Sequence, residues 1–129
     1  MKLGDTFINL NPDSPEHLWI VSSLPASDGS LVIFNLTSHR SRGDETCVVE
    51  PGEHPFVKHR SVVAYARGQS LPEHVVKYMQ ARKLYQPHQP VSDALRNRIQ
   101  RGALASEFTS QKLQVIVRES MRAQGLTTP

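Results

Sequence analysis

Six histidines in a chain of 129 residues are enough to raise general acid–base chemistry, and four of them, His17, His39, His54 and His59, fall in the first half. The densest grouping is His54-Pro55-Phe56-Val57-Lys58-His59-Arg60-Ser61-Val62-Val63-Ala64-Tyr65. If residues 58–67 are extended, a period of two puts His59, Ser61, Val63 and Tyr65 on one face, opposite Arg60, Val62 and Ala64. An imidazole with an unperturbed pKa near ~6.5 takes or gives a proton at neutral pH. Lys58, Arg60, Arg40 and Arg42 add the positive charge that a phosphate demands. These types suit metal-free RNA cleavage: a base activates the 2′-hydroxyl, an acid protonates the leaving 5′ oxygen, and cations meet the charge growing on phosphorus. They equally suit a plain structural role, a His and a Tyr satisfying buried backbone groups near the end of a small barrel.

The remaining chemistry-bearing types narrow the field. His74 and His88 read as exposed bystanders in a helix and a linker. No HExxH, paired-Asp or Cys/His pattern supports a metal, and Cys47, the only cysteine, can form neither an internal disulfide nor a thiolate zinc cage. Neither metal nor cofactor is expected. Aromatic residues are only 6% of the chain, which limits base stacking; Trp19 reads as core, leaving Tyr65.

Short strands must position these groups. Thr6-Phe7-Ile8-Asn9-Leu10 reads as a strand closed by the turn-forming Asn11-Pro12-Asp13-Ser14-Pro15. A second strand covers residues 17–23 and a third residues 31–37, joined by the hairpin-like Ser27-Asp28-Gly29-Ser30. The polar stretch 38–45 reads as an exposed loop; residues 46–49 and 61–66 supply further strands, separated by the Pro-Gly turn at 50–53. About five short strands with tight connections point to a small curled sheet or barrel.

From Ser70 the period changes. Ser70-Leu71-Pro72-Glu73 resembles a capping box ahead of the Val75, Val76 and Met79 stripe. Residues 85–90, with two prolines, read as a linker. Val91, Leu95, Ile99 and Ala103 mark a second amphipathic helix that Gly102 should fray, and Arg96, Arg98 and Arg101 lie mostly off its stripe. A third helix fits residues 106–124, with Phe108, Leu113, Ile116, Val117 and Met121 as its apolar face and Gly125 as its stop. The expected class is α+β, divided into a barrel over residues 1–68 and a helical extension over 69–129, within the same domain or as a dimerisation or partner-binding appendage.

Charge follows the same division. Residues 1–67 carry six Lys/Arg against eight Asp/Glu, whereas residues 68–129 carry nine against four. An acidic first half with a basic tail suits a polyanion or an acidic protein better than a membrane. No apolar run approaches the ~18 residues of a membrane span, and the first residues lack the apolar stretch of a secretory signal, so a cytoplasmic location is expected.

The opening Leu3-Gly4-Asp5-Thr6-Phe7-Ile8-Asn9-Leu10-Asn11-Pro12 resembles that of MazF/PemK-type toxins, G-D-[IV]-[WV]-x-[VA]-x-[LF]-[ND]-P. Ser14-Pro15-Glu16-His17 before Leu18-Trp19-Ile20-Val21-Ser22 resembles that family's charged loop and apolar strand. Val32-Ile33-Phe34-Asn35-Leu36-Thr37-Ser38 is similar to its later strand ending in Thr-Ser. The resemblance covers roughly residues 3–67 and implies an SH3-like barrel, usually dimeric, that cleaves single-stranded RNA without a metal through an Arg and a Thr. Thr37 matches the Thr. The Arg position falls on or beside His17, and neither the HPFVKH segment nor so long a helical tail belongs to the usual pattern, so the resemblance implies a divergent branch.

Residues and resemblance together give a metal-independent endoribonuclease, the toxin of a type II toxin–antitoxin pair, with an antitoxin protein and a second copy of the chain as expected partners and no membrane. His17, Thr37, His54 and His59 are the candidate catalytic residues; His39, Arg40, Arg42, Lys58, Arg60, Ser61 and Tyr65 are the candidate substrate-binding ones. His17, Thr37, His39, His54, His59 and Arg40 are expected to converge at one barrel end. The alternative is a noncatalytic SH3-like adaptor that binds nucleic acid or protein through its basic helices.

Overall fold

A computed structural model describes all of residues 1–129. The chain is α+β. Strands β1 (Thr6–Asn9), β2 (Leu18–Val21), β3 (Leu31–Ser38), β4 (Val48–Val49) and β5 (Ser61–Leu71) are followed by helix α1 (Glu73–Ala81), strand β6 (Tyr85–His88) and helices α2 (Asp93–Ala105) and α3 (Gln111–Ala123). One sheet contains all six strands in the order β4-β5-β3-β2-β1-β6, and every pairing is antiparallel.

The number of strands is six rather than about five because residues 85–88, expected as a linker, pair with β1 in register from Thr6↔His88 to Asn9↔Tyr85. Proline survives in a strand only where its missing amide is not needed by a ladder, and β6 is the sheet edge. The Tyr85 ring stacks on Phe7 with centroids 4.2 Å apart, which ties the edge strand to the core.

Strand β5, expected to end near Ala66, continues to Leu71. Its register against β3 shifts between Asn35↔Ala64 and Ile33↔Gln69. The irregular stretch between Ala64 and Gln69 puts extra residues on β5, after which the strand continues antiparallel along the first residues of β3. Gly68 sits in this stretch because a Cβ there would collide with the Phe34 ring and Leu113. Ser70 is thereby paired with Val32 inside the sheet and forms no capping box; α1 starts at Pro72, without a side-chain cap. The expected boundary at 68/69 falls inside this strand, and residues from both sides of it share one core.

The later helices are capped by serines. Ser92 accepts from the Leu95 amide at the start of α2 and Ser110 from the Leu113 amide at the start of α3, each such cap contributing about 1 kcal/mol. α3 therefore begins later than Ser106, and Phe108 lies outside it, exposed. Ser106 instead bonds the Asp44 carboxylate at 2.7 Å. Gly102 does not fray α2: the helix runs on, and the missing Cβ makes room for Tyr65 and Cys47. Gly125, at φ +78°, ends α3 as its position predicts.

Strand alternation sorts the apolar residues onto two faces. Leu18, Ile20, Val32, Phe34, Leu36, Val63 and Tyr65 pack under α2 and α3 against Leu95, Ile99, Ala103, Leu113, Val117 and Met121. Phe7, Val21, Leu31, Ile33 and Leu71 point the other way and meet Val76 of α1. That second face is covered at one end only. No helix is long and apolar enough to cross a membrane.

Candidate functional site

The uncovered half of the second face carries the polar residues of the sheet. In β3, Asn35 and Thr37 follow Ile33 at intervals of two, so they share its face. Asn35 lies opposite Trp19 on β2 and Ala64 on β5, and Thr37 lies opposite Val62. His17, immediately before β2, lines a groove of about 590 Å³ with Trp19, Asn35, Arg67 and Gln69. A second groove, of about 470 Å³, is lined by Thr37, Ser38, Arg40, Arg42 and Phe108 among others. Ala66 and Arg67 line both, so the two grooves adjoin at the irregular stretch of β5.

The two grooves carry three arginines against two acidic residues, Asp13 on the first and Asp44 on the second. Arg40, Arg42 and Arg67 are exposed and take part in none of the ion pairs of the chain. Asp44 is the acidic residue on the second groove's wall. Burial pushes its carboxyl up, but hydrogen bonds from Thr46 and Ser106 outweigh this and hold it below the usual carboxylate range. It therefore stays ionised, held by its own loop and by Ser106.

The expected convergence is met in part. His59 presents Nε2 to the Ser38 hydroxyl at 2.8 Å, one residue from Thr37. The two neighbours point to opposite faces, so His59 stands behind the strand that carries Thr37 rather than beside its side chain. His39 donates its amide to the Arg60 carbonyl and pairs Nε2 with Glu45 at 3.1 Å. Arg60 is tied to Glu50 at 2.9 Å, and Lys58 is exposed. These groups surround the Ser38 end of β3.

His54, Ser61 and Tyr65 are engaged elsewhere. The buried His54 ring holds the Gln89 carbonyl through Nε2 at 2.5 Å and accepts the Phe56 amide at Nδ1, a pattern that fits a neutral Nε2–H imidazole. Burial lowers its pKa, against a smaller upward pull from Gln89. Ser61 is buried and bonds the His59 carbonyl. The Tyr65 hydroxyl donates to the Ile99 carbonyl at 2.7 Å inside the helix-covered core, and burial raises its pKa far above the usual phenol value. The alternation expected for residues 59–65 thus directs Tyr65 into packing, the structural role.

Three groove residues were missed by sequence reading. Arg67 stood outside the His cluster, Asn35 was absorbed into an apolar strand, and Trp19 was taken as core although it is only partly buried and lines the groove. Only the placement of Asn35, a single amide amid Leu31-Val32-Ile33-Phe34 and Leu36, was a usable signal. The tail arginines are largely occupied: Arg98 binds Glu53 and the Val48 carbonyl, Arg101 the Thr127 carbonyl, and Arg96 pairs with Asp93. No three His, Cys, Asp or Glu side chains come together as a metal-holding group.

No protein-family model matches the chain, and no curated protein is significantly similar to it.

Proposed function

We propose that the chain binds single-stranded RNA across the open half of the sheet and cleaves it without a metal, as the resemblance to MazF/PemK toxins implies. The observation that carries this reading is the adjacency of His17, Arg67 and Thr37, with Arg67 lining both the groove of His17 and that of Thr37. In the proposed reaction His17 takes the proton of a 2′-hydroxyl, and the 2′ oxygen forms a new bond to phosphorus. The bond from phosphorus to the 5′ oxygen breaks, and His39, two residues after Thr37, gives a proton to that oxygen. Arg67 and the Thr37 hydroxyl stabilise the charge on phosphorus, while Arg40 and Arg42 hold neighbouring phosphates.

Arg67 thus supplies the guanidinium that the family pattern places where this chain has His17. In this reading the sheet is an SH3-like barrel opened by the added edge strand β6, and the protein is a cytoplasmic toxin that pairs with itself and with an antitoxin. The adaptor reading retains one specific support: His54, a candidate second imidazole, is locked into the core and no other His lines the grooves.

Incubation of the purified protein with a long RNA in EDTA tests the proposal. Discrete fragments are expected, their yield reduced by ~10²-fold or more in His17→Ala, the usual scale for loss of a general acid or base. RNA that is bound but left intact, with and without divalent ions, makes the adaptor reading the correct one.

A further inference from the structure

Asn35 is fully buried in the middle of β3, yet its Oδ1 has no hydrogen-bond partner. Its Nδ2 reaches only the Leu36 carbonyl, at a long 3.4 Å. An amide acceptor withdrawn from water and left unpaired is costly, whereas a leucine of similar shape would carry no such cost. The position is not sealed inside the core: Asn35 is part of the lining of the groove that holds His17, Trp19, Arg67 and Gln69. Trp19, its cross-strand partner, is only partly buried, and Gln69 is exposed, so the side chains beside the amide on this face are not themselves locked into the core.

Building on the RNA-binding reading above, we infer that Asn35 is the base-reading residue of this groove. Its Oδ1 accepts an N–H from the hydrogen-bonding edge of an unpaired nucleobase, the face of that base rests on the Trp19 ring, and Arg67 holds the adjoining phosphate. All three parts are things a single-stranded nucleotide requires: an edge contact for identity, an aromatic surface for stacking and a cation for the backbone. Adenine and cytosine offer this N–H through an exocyclic amine, guanine through its amine or N1 and uracil through N3, at different places on the base edge, so an Oδ1 fixed in the strand meets one of them best.

The test uses the full chain and four fluorescent homopolymer 12-mer RNAs, with binding and thermal unfolding measured for wild type and Asn35→Leu. Wild type should prefer one base by about 10-fold, the scale of a good hydrogen-bonded base contact. In Asn35→Leu the preference should collapse to within about 2-fold while the melting temperature rises, because the orphaned acceptor is gone. A second measurement is independent of any mutation: methylating the donor nitrogen of the preferred base, as in N3-methyluridine or N6,N6-dimethyladenosine, should remove the preference in wild type.

Equal binding of all four RNAs by wild type, an unchanged preference in Asn35→Leu, tolerance of the methylated base, or a lowered melting temperature in Asn35→Leu would each overturn the role of Asn35. The first two leave RNA binding itself intact. Failure of wild type to bind any of the RNAs would instead remove the RNA reading, and this inference with it.

Discussion

The two faces of the sheet are finished by opposite rules. Under α2 and α3, the two largest fully buried polar side chains are matched: the Tyr65 hydroxyl finds the Ile99 carbonyl, and Gln100 bonds the Ser22 carbonyl and Gln124. On the uncovered half of the other face, Asn35 is left with an unpaired oxygen and Arg67 without an ion-pair partner, while Trp19 keeps part of its ring in solvent. Beside the first face the unpaired oxygens that remain, Asn97 Oδ1 of α2 and Thr109 Oγ1, lie outside both grooves. On the second, the groups that packing leaves over are those a ligand would use, and that contrast locates the site better than the histidine count did.

Removing an aromatic ring from each face puts the contrast to its severest test. Tyr65→Ala should cost ~3–5 kcal/mol, the range for truncating a large buried aromatic, since it also abandons the Ile99 carbonyl and the edge-to-face contact with Phe34. Trp19→Ala should cost about 1 kcal/mol, the ordinary effect of a substitution outside a sealed core. Urea denaturation of both variants measures the difference, and equal losses would mean that the two faces are equally structural.

A smaller effect in free energy, but a sharper one in function, separates the histidines. His17→Ala should lower RNA cleavage by ~10²-fold while unfolding stays near wild type. His54→Gln should do the reverse, weakening the fold while the folded variant still cleaves. Rates at a temperature where both remain folded decide this, and a His54→Gln enzyme as inactive as His17→Ala would move the site away from the groove.

Next comes the pH dependence of stability. The His54 pKa is depressed in the folded protein, so the unfolded chain binds the extra proton; the stability gained from the neutral ring is fully present above the unfolded value of ~6.5 and is lost as pH falls below it towards the folded value. Asp44 and Glu53 are depressed too, by hydrogen bonds in the one case and the Arg98 contact in the other, and they weaken the fold only in the acid range below ~4.5. Melting temperature should therefore fall between pH 7.5 and 5 in wild type and stay flatter in His54→Gln. Parallel curves would show that another group governs that window.

The least effect is expected from single cations. Arg67→Ala should reduce the salt slope of RNA binding by about 0.7, the contribution of one phosphate contact on a single strand. Arg98→Ala should leave the slope alone, because that guanidinium is already held by Glu53 and the Val48 carbonyl. If Arg98 lowers the slope and Arg67 does not, the basic helix is the binding surface and the open sheet face is not.

Strand positions in the first half were legible because β-branched runs bounded by Pro, Gly and Asn leave little choice of conformation. The hairpin at Asp28-Gly29 is an instance: Gly29 takes φ +82° and the Asp28 carboxylate accepts from Ser30, as that local sequence demands. The apolar stripes of α2 and α3 were legible for the same reason, since helical periodicity is a local property. Pairing was not. Whether Tyr85-Gln86-Pro87-His88 is a linker or an edge strand depends on β1 having a free side, and nothing within those residues records it. Likewise Ser70 and Glu73 have the spacing of a capping box, but β3 offers ladder bonds to Ser70 that outcompete the cap.

The sequence by itself determined the α+β class, most element positions, the glycine stop after α3, and the inventory of imidazoles, hydroxyls and guanidiniums. Those follow from dihedral preferences and hydrophobic period, which act within a few residues. Only the tertiary structure decided which of those groups are free. It buried His54 against the Gln89 carbonyl, 35 positions away, and Tyr65 against Ile99, 34 positions away. It also brought His17, Asn35, Thr37 and Arg67 to adjoining grooves, through the irregular stretch of β5 between Ala64 and Gln69 and through a second face that α1 covers at one end only. Burial and hydrogen-bond satisfaction are set by contacts between distant segments, and no local pattern encodes them.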